Sequence, residues 1–364
     1  MKLAFIGFGH VGNAFYEMVK DTHEVVSILV HHPKKLRRED IKNLFYFNEE
    51  DLFLHDFDCL IEVSAHEEPA LDLMKRALAK GKHVVSSNKA AVAKGFYELQ
   101  KLAKENNCLF LFEGSTMSGM PVIQTMYDLI RSDEITSMHG IVNGSTNYCL
   151  TKIFRDGYTF QEAFDEAMEL GYLESDPTDD LDGFDSMRKM LILSDIAYHG
   201  YFTKDQVSIQ ALSSISQKMI DYVKKHQLIM RYIIVSEKRN NEIVLKVEVV
   251  AFGKDILFSS VNDEKNILYI NTMKRGPVIL IGSGAGGRQT ASGVLLDLVK
   301  ITDHEGYHFE ETNKELYVKE SSLISNYYVE TEEGIFEKEN LTEEVLKASY
   351  PNAKCYVRVK KNVN

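Results

Sequence analysis

An α/β protein with a doubly wound parallel sheet, a second α+β domain and a small C-terminal extension is predicted by three observations. Short apolar runs alternate with helically spaced segments over roughly the first 125 residues. Beyond them the pattern changes to a short strand, two helices and then mixed strands of partial alternation, and after about residue 305 the chain turns polar and charged. The 364 residues exceed what one core ordinarily serves, so the expected boundaries are 1–125, 126–284 and 305–364.

Each element follows from its local pattern. Residues 2–7 (KLAFIG) form a short, wholly apolar run, as a strand buried on both faces requires. Residues 11–19 have helical spacing, and 24–30 (EVVSILV) read as the next strand. Strand-like runs recur at 59–63, 83–86 and 109–112, with helical stretches at 69–80 and 96–105 between them. In the second domain, 140–143 is a short strand, 158–171 and 185–198 are helical, and 231–235 and 243–250 suit a sheet with one face covered. A glycine-rich turn near 282 precedes an apolar helix at 290–301, and the tail reads strand, helix, strand at 327–330, 342–349 and 354–359.

Charge and cysteine usage narrow the function. A formal net charge of −12 argues against a nucleic-acid partner or an anionic membrane surface. No stretch approaches the roughly 18 apolar residues of a membrane span. The four cysteines (Cys59, Cys108, Cys149, Cys355) show no paired or metal-ligand spacing, as reduced thiols do. The apolar run at the start is too short for a signal peptide, so a cytoplasmic protein is expected.

Gly7-Phe8-Gly9-His10-Val11-Gly12 follows a strand and opens a helix inside a βαβ unit, the context that gives a G-x-G-x-x-G turn meaning. Gly7 permits the tight turn, Gly9 lets backbone approach a pyrophosphate, and Gly12 lets helix pack on strand, which makes the sheet Rossmann-type. The amides of His10 and Val11 then face the phosphates at a helix N-terminus. The second strand ends in His31-His32-Pro33-Lys34-Lys35-Leu36-Arg37-Arg38, with cations where NAD binders carry an acid. NADPH is therefore the expected cofactor, with NADH as the alternative.

Four further segments carry chemistry: 84–90 (VVSSNKA), 113–121 (EGSTMSGMP), 140–148 (GIVNGSTNY) and 169–189, the last including GYLESDPTDDLDGFD. Lys89 falls just past a strand's C-terminal end, the ligand-facing edge of an open α/β sheet. Asp176-Pro177 breaks the preceding helix, and Glu174, Asp176, Asp179, Asp180 and Asp182 then lie on one loop. On the following helix Asp185 and Lys189 share a face at i,i+4, a spacing that by itself denotes a surface ion pair.

In this order and spacing the segments resemble the homoserine dehydrogenase family, from residue 1 to about 303. The resemblance includes the turn at 282–293 (GSGAGGRQTASG), which implies that 285–304 rejoin the nucleotide-binding domain. It implies interconversion of L-aspartate 4-semialdehyde and L-homoserine with a nicotinamide cofactor, and a second domain serving catalysis and dimerisation. Lys189 would be the proton donor, Lys89 a nearby polarising or relaying group, and Asp185 the residue orienting Lys189. Glu174, Asp180 and Asp179 would hold the substrate, while Gly7, Gly9, His10, Val11, Gly12, Ser64, Lys89 and Gly286 would line the cofactor. Glu113 with Thr116, Ser118 and Met120 would hold a monovalent cation such as sodium, a hard ion that prefers oxygen ligands. A homodimer or higher homo-oligomer is implied as well.

Three features depart from the family pattern: Ser86-Ser87 before Asn88-Lys89, bulky Met117 in the 113–121 segment, and a tail long enough for only half of an ACT-like domain. Two other readings stay open at this level. A reductase such as aspartate-semialdehyde dehydrogenase would need a cysteine nucleophile, for which Cys149 is the candidate. A non-catalytic NADPH-sensing regulator would have no use for the two lysines and the acidic loop.

Overall fold

Six strands form the first sheet: β1 (Lys2–Ile6), β2 (Glu24–Leu29), β3 (Phe45–Tyr46), β4 (Cys59–Glu62), β5 (His83–Ser86) and β6 (Phe110–Leu111). All pair in parallel, in the order β3-β2-β1-β4-β5-β6. This computed structural model describes residues 1–32, 38–173, 176–311, 315–319 and 323–361. Leu3, Ala4, Phe5 and Ile6 are wholly buried, which explains why β1 reads as unbroken apolar sequence. The sheet grows in opposite directions from β1, and the crevice above the C-terminal ends of β1 and β4 is where ligands bind in such sheets. The unit comprises Met1–Arg131, Asp195–Tyr201 and Gly286–Lys314.

The second unit comprises Ser132–Ser194, Phe202–Ala285 and Glu315–Asn364. Its strands are β7 (Ile135–Ile141), β8 (Ser208–Ile209), β9 (Ile229–Arg239), β10 (Glu242–Phe252), β11 (Lys265–Thr272), β12 (Gly276–Ser283), β13 (Tyr317–Val318), β14 (Ser325–Glu330), β15 (Ile335–Leu341) and β16 (Cys355–Lys360). The path runs β12-β11-β7-β9-β10-β16-β14-β15, with β8 and β13 also pairing to β10. A tight hairpin joins β9 to β10, and Asn240 takes the left-handed φ of 55° that such a turn demands. The C-terminal strands continue this same sheet, because β16 pairs in parallel with β10 from Val250↔Arg358 to Phe252↔Lys360. Buried charges reinforce that seam: Lys246 is ion-paired to Glu248 and Glu343, and Arg358 reaches Glu248 at 2.7 Å.

Several elements differ in extent from the sequence reading. The helix expected at 96–105 begins at Lys89, because Asn88 caps it by accepting the Ala91 amide at 3.1 Å. The strand expected at 140–143 is the end of the longer β7. Helix Gly144–Thr151 has no counterpart in the sequence reading: it mixes small polar residues with Tyr148, Cys149 and Leu150 and is buried nearly all round, so it shows no apolar stripe. Among the described residues no helix is long and apolar enough to cross a membrane.

Gly183 starts the helix Phe184–Tyr198, on which Asp185 and Lys189 lie. Its φ is +83°, and a Cβ there would fall 2.3 Å from the Tyr232 hydroxyl. Gly183→Ala is therefore expected to cost about 2–4 kcal/mol from strain and overlap together. Thermal denaturation should show Tm lowered by roughly 5–10 °C. Adding Tyr232→Phe should recover the overlap share but not the φ strain.

Candidate active site

In the first unit the glycine turn has the shape its sequence foretells. Gly7 takes φ +92°, and a Cβ on it would lie 2.9 Å from the Ser64 amide nitrogen. A Cβ on Gly12 would lie 2.7 Å from the Gly7 carbonyl oxygen, so helix His10–Val19 reaches the strand only because both positions lack one. A Cβ on Gly9 would meet nothing within 4 Å, which leaves open space where backbone must approach a phosphate. That helix has no side-chain cap and no acid in its first turn, so the amides of His10, Val11 and Gly12 remain available to an anion. A Cβ on Gly287 would come within 3.0 Å of His10 Cβ, so the closing turn at Gly286 lies beside the same helix start. These features fit a dinucleotide.

Arg38 is ion-paired with both Glu17 and Asp40, so its charge is already matched. Pro33, Lys34, Lys35, Leu36 and Arg37 lie outside the described residues.

A buried carboxylate, Glu62, ends β4 beside the crevice. Its Oε1 accepts from the Ser64 amide at 2.9 Å and the Ser64 hydroxyl at 2.5 Å, and its Oε2 accepts from the Ser86 hydroxyl at 2.8 Å. Burial pushes its carboxyl up to about 6, against the pull of these donors. Ser86 Oγ also accepts from the Asn88 amide at 3.1 Å, and Asn88 Nδ2 donates to the His66 carbonyl at 2.7 Å. Lys89, half-buried, is the first residue of the helix that Asn88 caps.

Glu113 proves to be a helix cap. Wholly buried, it accepts from the Ile123 amide at 2.7 Å and the Gln124 amide at 3.0 Å, at the start of helix Val122–Ile130. Burial raises its carboxyl to about 6. Its own amide donates to Asp297 at 2.7 Å. The adjoining loop packs closely on helix Gly287–Thr302, where a Cβ on Gly293 would sit 2.7 Å from the Ser118 carbonyl. Thr116 Oγ1 in that loop is buried without a hydrogen-bond partner, an oxygen still able to face a cation. The Met120 carbonyl accepts from the Val122 amide at 2.8 Å.

The second unit gathers the acidic loop and the lysine. Lys189 is only 8 % exposed, and its Nζ donates to the Val142 carbonyl at 2.7 Å and lies 2.9 Å from Asp185. The pair is therefore buried, not the surface pair that i,i+4 spacing alone denotes. Asn143 ties the cluster together. Its Nδ2 donates to Asp180 at 2.5 Å and to Asp185 at 2.9 Å, while its Oδ1 accepts the Thr146 amide at 2.8 Å and so caps helix Gly144–Thr151. The helix is seated closely, since a Cβ on Gly144 would lie 2.7 Å from the Glu264 carbonyl.

Two neighbouring acids stand apart. Asp179 is exposed and held by Arg188 at 2.6 Å, and Asp176 accepts from the Thr178 amide and hydroxyl. Glu174 lies outside the described residues. Asn143 was missed as a site residue, although an Asn at a strand end before Gly-Ser-Thr is itself a helix-start signal. The Glu62–Ser86–Asn88 chain was missed because nothing local marks a strand-end glutamate as buried. All four cysteines are buried and free, and burial pushes the Cys149 thiol up to about 12, which suits a structural thiol and not a nucleophile.

Comparison with known proteins matches both units. The family model described as homoserine dehydrogenase matches residues 121–299, and that described as its NAD binding domain matches residues 7–113. A homoserine dehydrogenase of Bacillus subtilis is 31% identical over 314 residues, covering 83% of this chain and 72% of the relative. A homoserine dehydrogenase structure from Thiobacillus denitrificans superposes with a TM-score of 0.88 at 22% identity, over 99% of this chain and 98% of that one. A hyperthermophilic archaeal homoserine dehydrogenase, solved with NADPH, matches at a TM-score of 0.72 and 28% identity, over 85% of this chain and 99% of that one. With the glycine turn, the capped lysine and the buried Asp185–Lys189 pair, these matches establish that the chain is an oxidoreductase belonging to the homoserine dehydrogenase family.

Proposed function

We propose that this chain reduces the aldehyde of L-aspartate 4-semialdehyde to the alcohol of L-homoserine, and the reverse, in the formation of threonine and methionine. The observation that carries the proposal is the buried cluster of Lys189, Asp185 and Asn143, joined by the half-buried Asp180. An ammonium held by a carbonyl and a carboxylate has a fixed direction, as a proton donor to a carbonyl oxygen needs. A bound nicotinamide supplies the hydride. Lys189 hands its proton to the oxygen as that oxygen gains charge, and recovers it in homoserine oxidation. Asp185 orients the ammonium through their 2.9 Å contact, and Asn143 bridges Asp185 and Asp180 by donating its Nδ2 to both. Asp180, with Glu174, takes the substrate's own ammonium. Asp179 contributes more remotely, since Arg188 already occupies it. Lys89 supplies the second polarising or relaying group.

For the cofactor, the turn at Gly7, Gly9, His10, Val11 and Gly12, with Ser64, Lys89 and Gly286, forms the binding set. NADPH is the preferred form, because the sequence from His31 and His32 onward is basic where NAD binders carry an acid. A sodium ion would sit on Glu113 and the carbonyls of Thr116, Ser118 and Met120, where it would brace the loop without taking part in the chemistry. The cytoplasm suits an enzyme with four reduced thiols. A homodimer is favoured by the edge strand β12, whose Ile279 and Ile281 are 41% and 50% exposed.

Lys189→Ala should lower the rate of NADPH oxidation with aspartate 4-semialdehyde by about 10²- to 10⁴-fold, with cofactor affinity retained. The same change strands Asp185 as a buried charge and should cost roughly 3–5 kcal/mol of stability. Asp185→Asn with Lys189→Met should restore stability but no activity. Equal turnover by wild type and Lys189→Ala would sink the assignment. Steady-state kinetics with both cofactors should give a kcat/KM about tenfold or more higher for NADPH than for NADH, the gap narrowing with added salt.

A further inference from the structure

We infer that Glu62 is a positioning residue for Lys89, acting through the Ser86 hydroxyl and the Asn88 cap; the inference rests on the proton-handling role given to Lys89 above. The chain of contacts is continuous and lies wholly within the first unit. Glu62 Oε2 accepts from Ser86 Oγ at 2.8 Å, which fixes the direction of that hydroxyl and leaves its lone pairs for the Asn88 amide at 3.1 Å. Asn88 then caps the helix whose first residue is Lys89, through the Ala91 amide at 3.1 Å, and pins its own amide group on the His66 carbonyl at 2.7 Å. Glu62, Ser86 and Asn88 are 0 %, 0 % and 4 % exposed, so water cannot substitute for any member. A buried carboxylate is a costly choice for a purely structural post, since a hydrophobic side chain would fill the strand end at lower cost. What it offers instead is two oxygens facing two ways.

The other oxygen serves the cofactor turn. Glu62 Oε1 accepts from the Ser64 amide and hydroxyl, and the Ser64 amide nitrogen is the atom that a Cβ on Gly7 would strike at 2.9 Å. One carboxylate thus sets both the floor under the first glycine and the start of the lysine helix, and fixes the distance between them. A shift of about 1 Å in a catalytic group is enough to slow chemistry by around a hundredfold, which is why such a spacer matters.

The test is a pair of double-mutant cycles read by kcat, with cofactor affinity and melting temperature measured alongside. Glu62→Gln and Ser86→Ala should each lower kcat about tenfold in otherwise wild-type enzyme, and by less than about twofold in a Lys89→Ala background. Ser86→Ala should weaken NADPH affinity no more than Lys89→Ala does, because it reaches the cofactor only through the Lys89 arm. Losses in melting temperature should be equal in the two backgrounds. A kcat loss by the same factor in both backgrounds overturns the inference, because Glu62 then acts on something other than Lys89. Should Glu62→Gln fail to fold, the Ser86→Ala cycle decides alone. Should Lys89→Ala itself leave kcat unchanged, the role of Lys89 falls and this inference with it, a result recognisable from that single variant.

Discussion

The buried ammonium of Lys189 is the constraint around which the second unit is arranged. Removing such a charge from water costs several kcal/mol unless every donor finds an acceptor. The Val142 carbonyl and Asp185 take two of its three donors, and each is itself fixed by a larger element: Val142 follows the end of β7, and Asp185 lies one helical turn from Lys189. Asn143 then satisfies the spare oxygen capacity of Asp185 and Asp180 while capping the neighbouring helix. Strand end, helix start and acidic loop are therefore held by one polar network, in which losing Lys189 or Asp185 leaves the other as an unmatched buried charge.

The first unit solves a different problem, how to bring backbone close to an anion. It does so by omission at Gly7 and Gly12, where a Cβ would collide with the next segment, and by open space at Gly9. The open helix N-terminus supplies partial positive charge without a side chain, so a protein of net charge −12 can still bind a polyanion locally. Glu62 stands beneath this arrangement as its buried brace.

Elements marked by local chemistry were legible. The glycine turn, the apolar strands of the parallel sheet and the helix carrying Asp185 and Lys189 follow from spacing that any single turn or strand enforces. Elements whose character depends on surroundings were not. Gly144–Thr151 mixes small polar residues with Tyr148, Cys149 and Leu150 and is buried nearly all round, so no amphipathic stripe announced it. Glu113 serves as a helix cap because the amides of Ile123 and Gln124 arrive from ten and eleven residues away. The acidic loop divides its labour by contact and not by composition. Asp180 joins the buried network through Asn143, while Asp179, its immediate neighbour, faces out to Arg188.

By itself the sequence determined that a nucleotide turn opens a parallel sheet and that a carboxylate and a lysine share one helical face. Both are local facts, set by backbone geometry within a few residues. Only the tertiary structure decided that this pair is buried, that Asn143 bridges two of the acids, and that the lysine helix is braced from β4. The reason is that a charge takes its value from the dielectric and the partners around it, and these come from segments dozens of residues away.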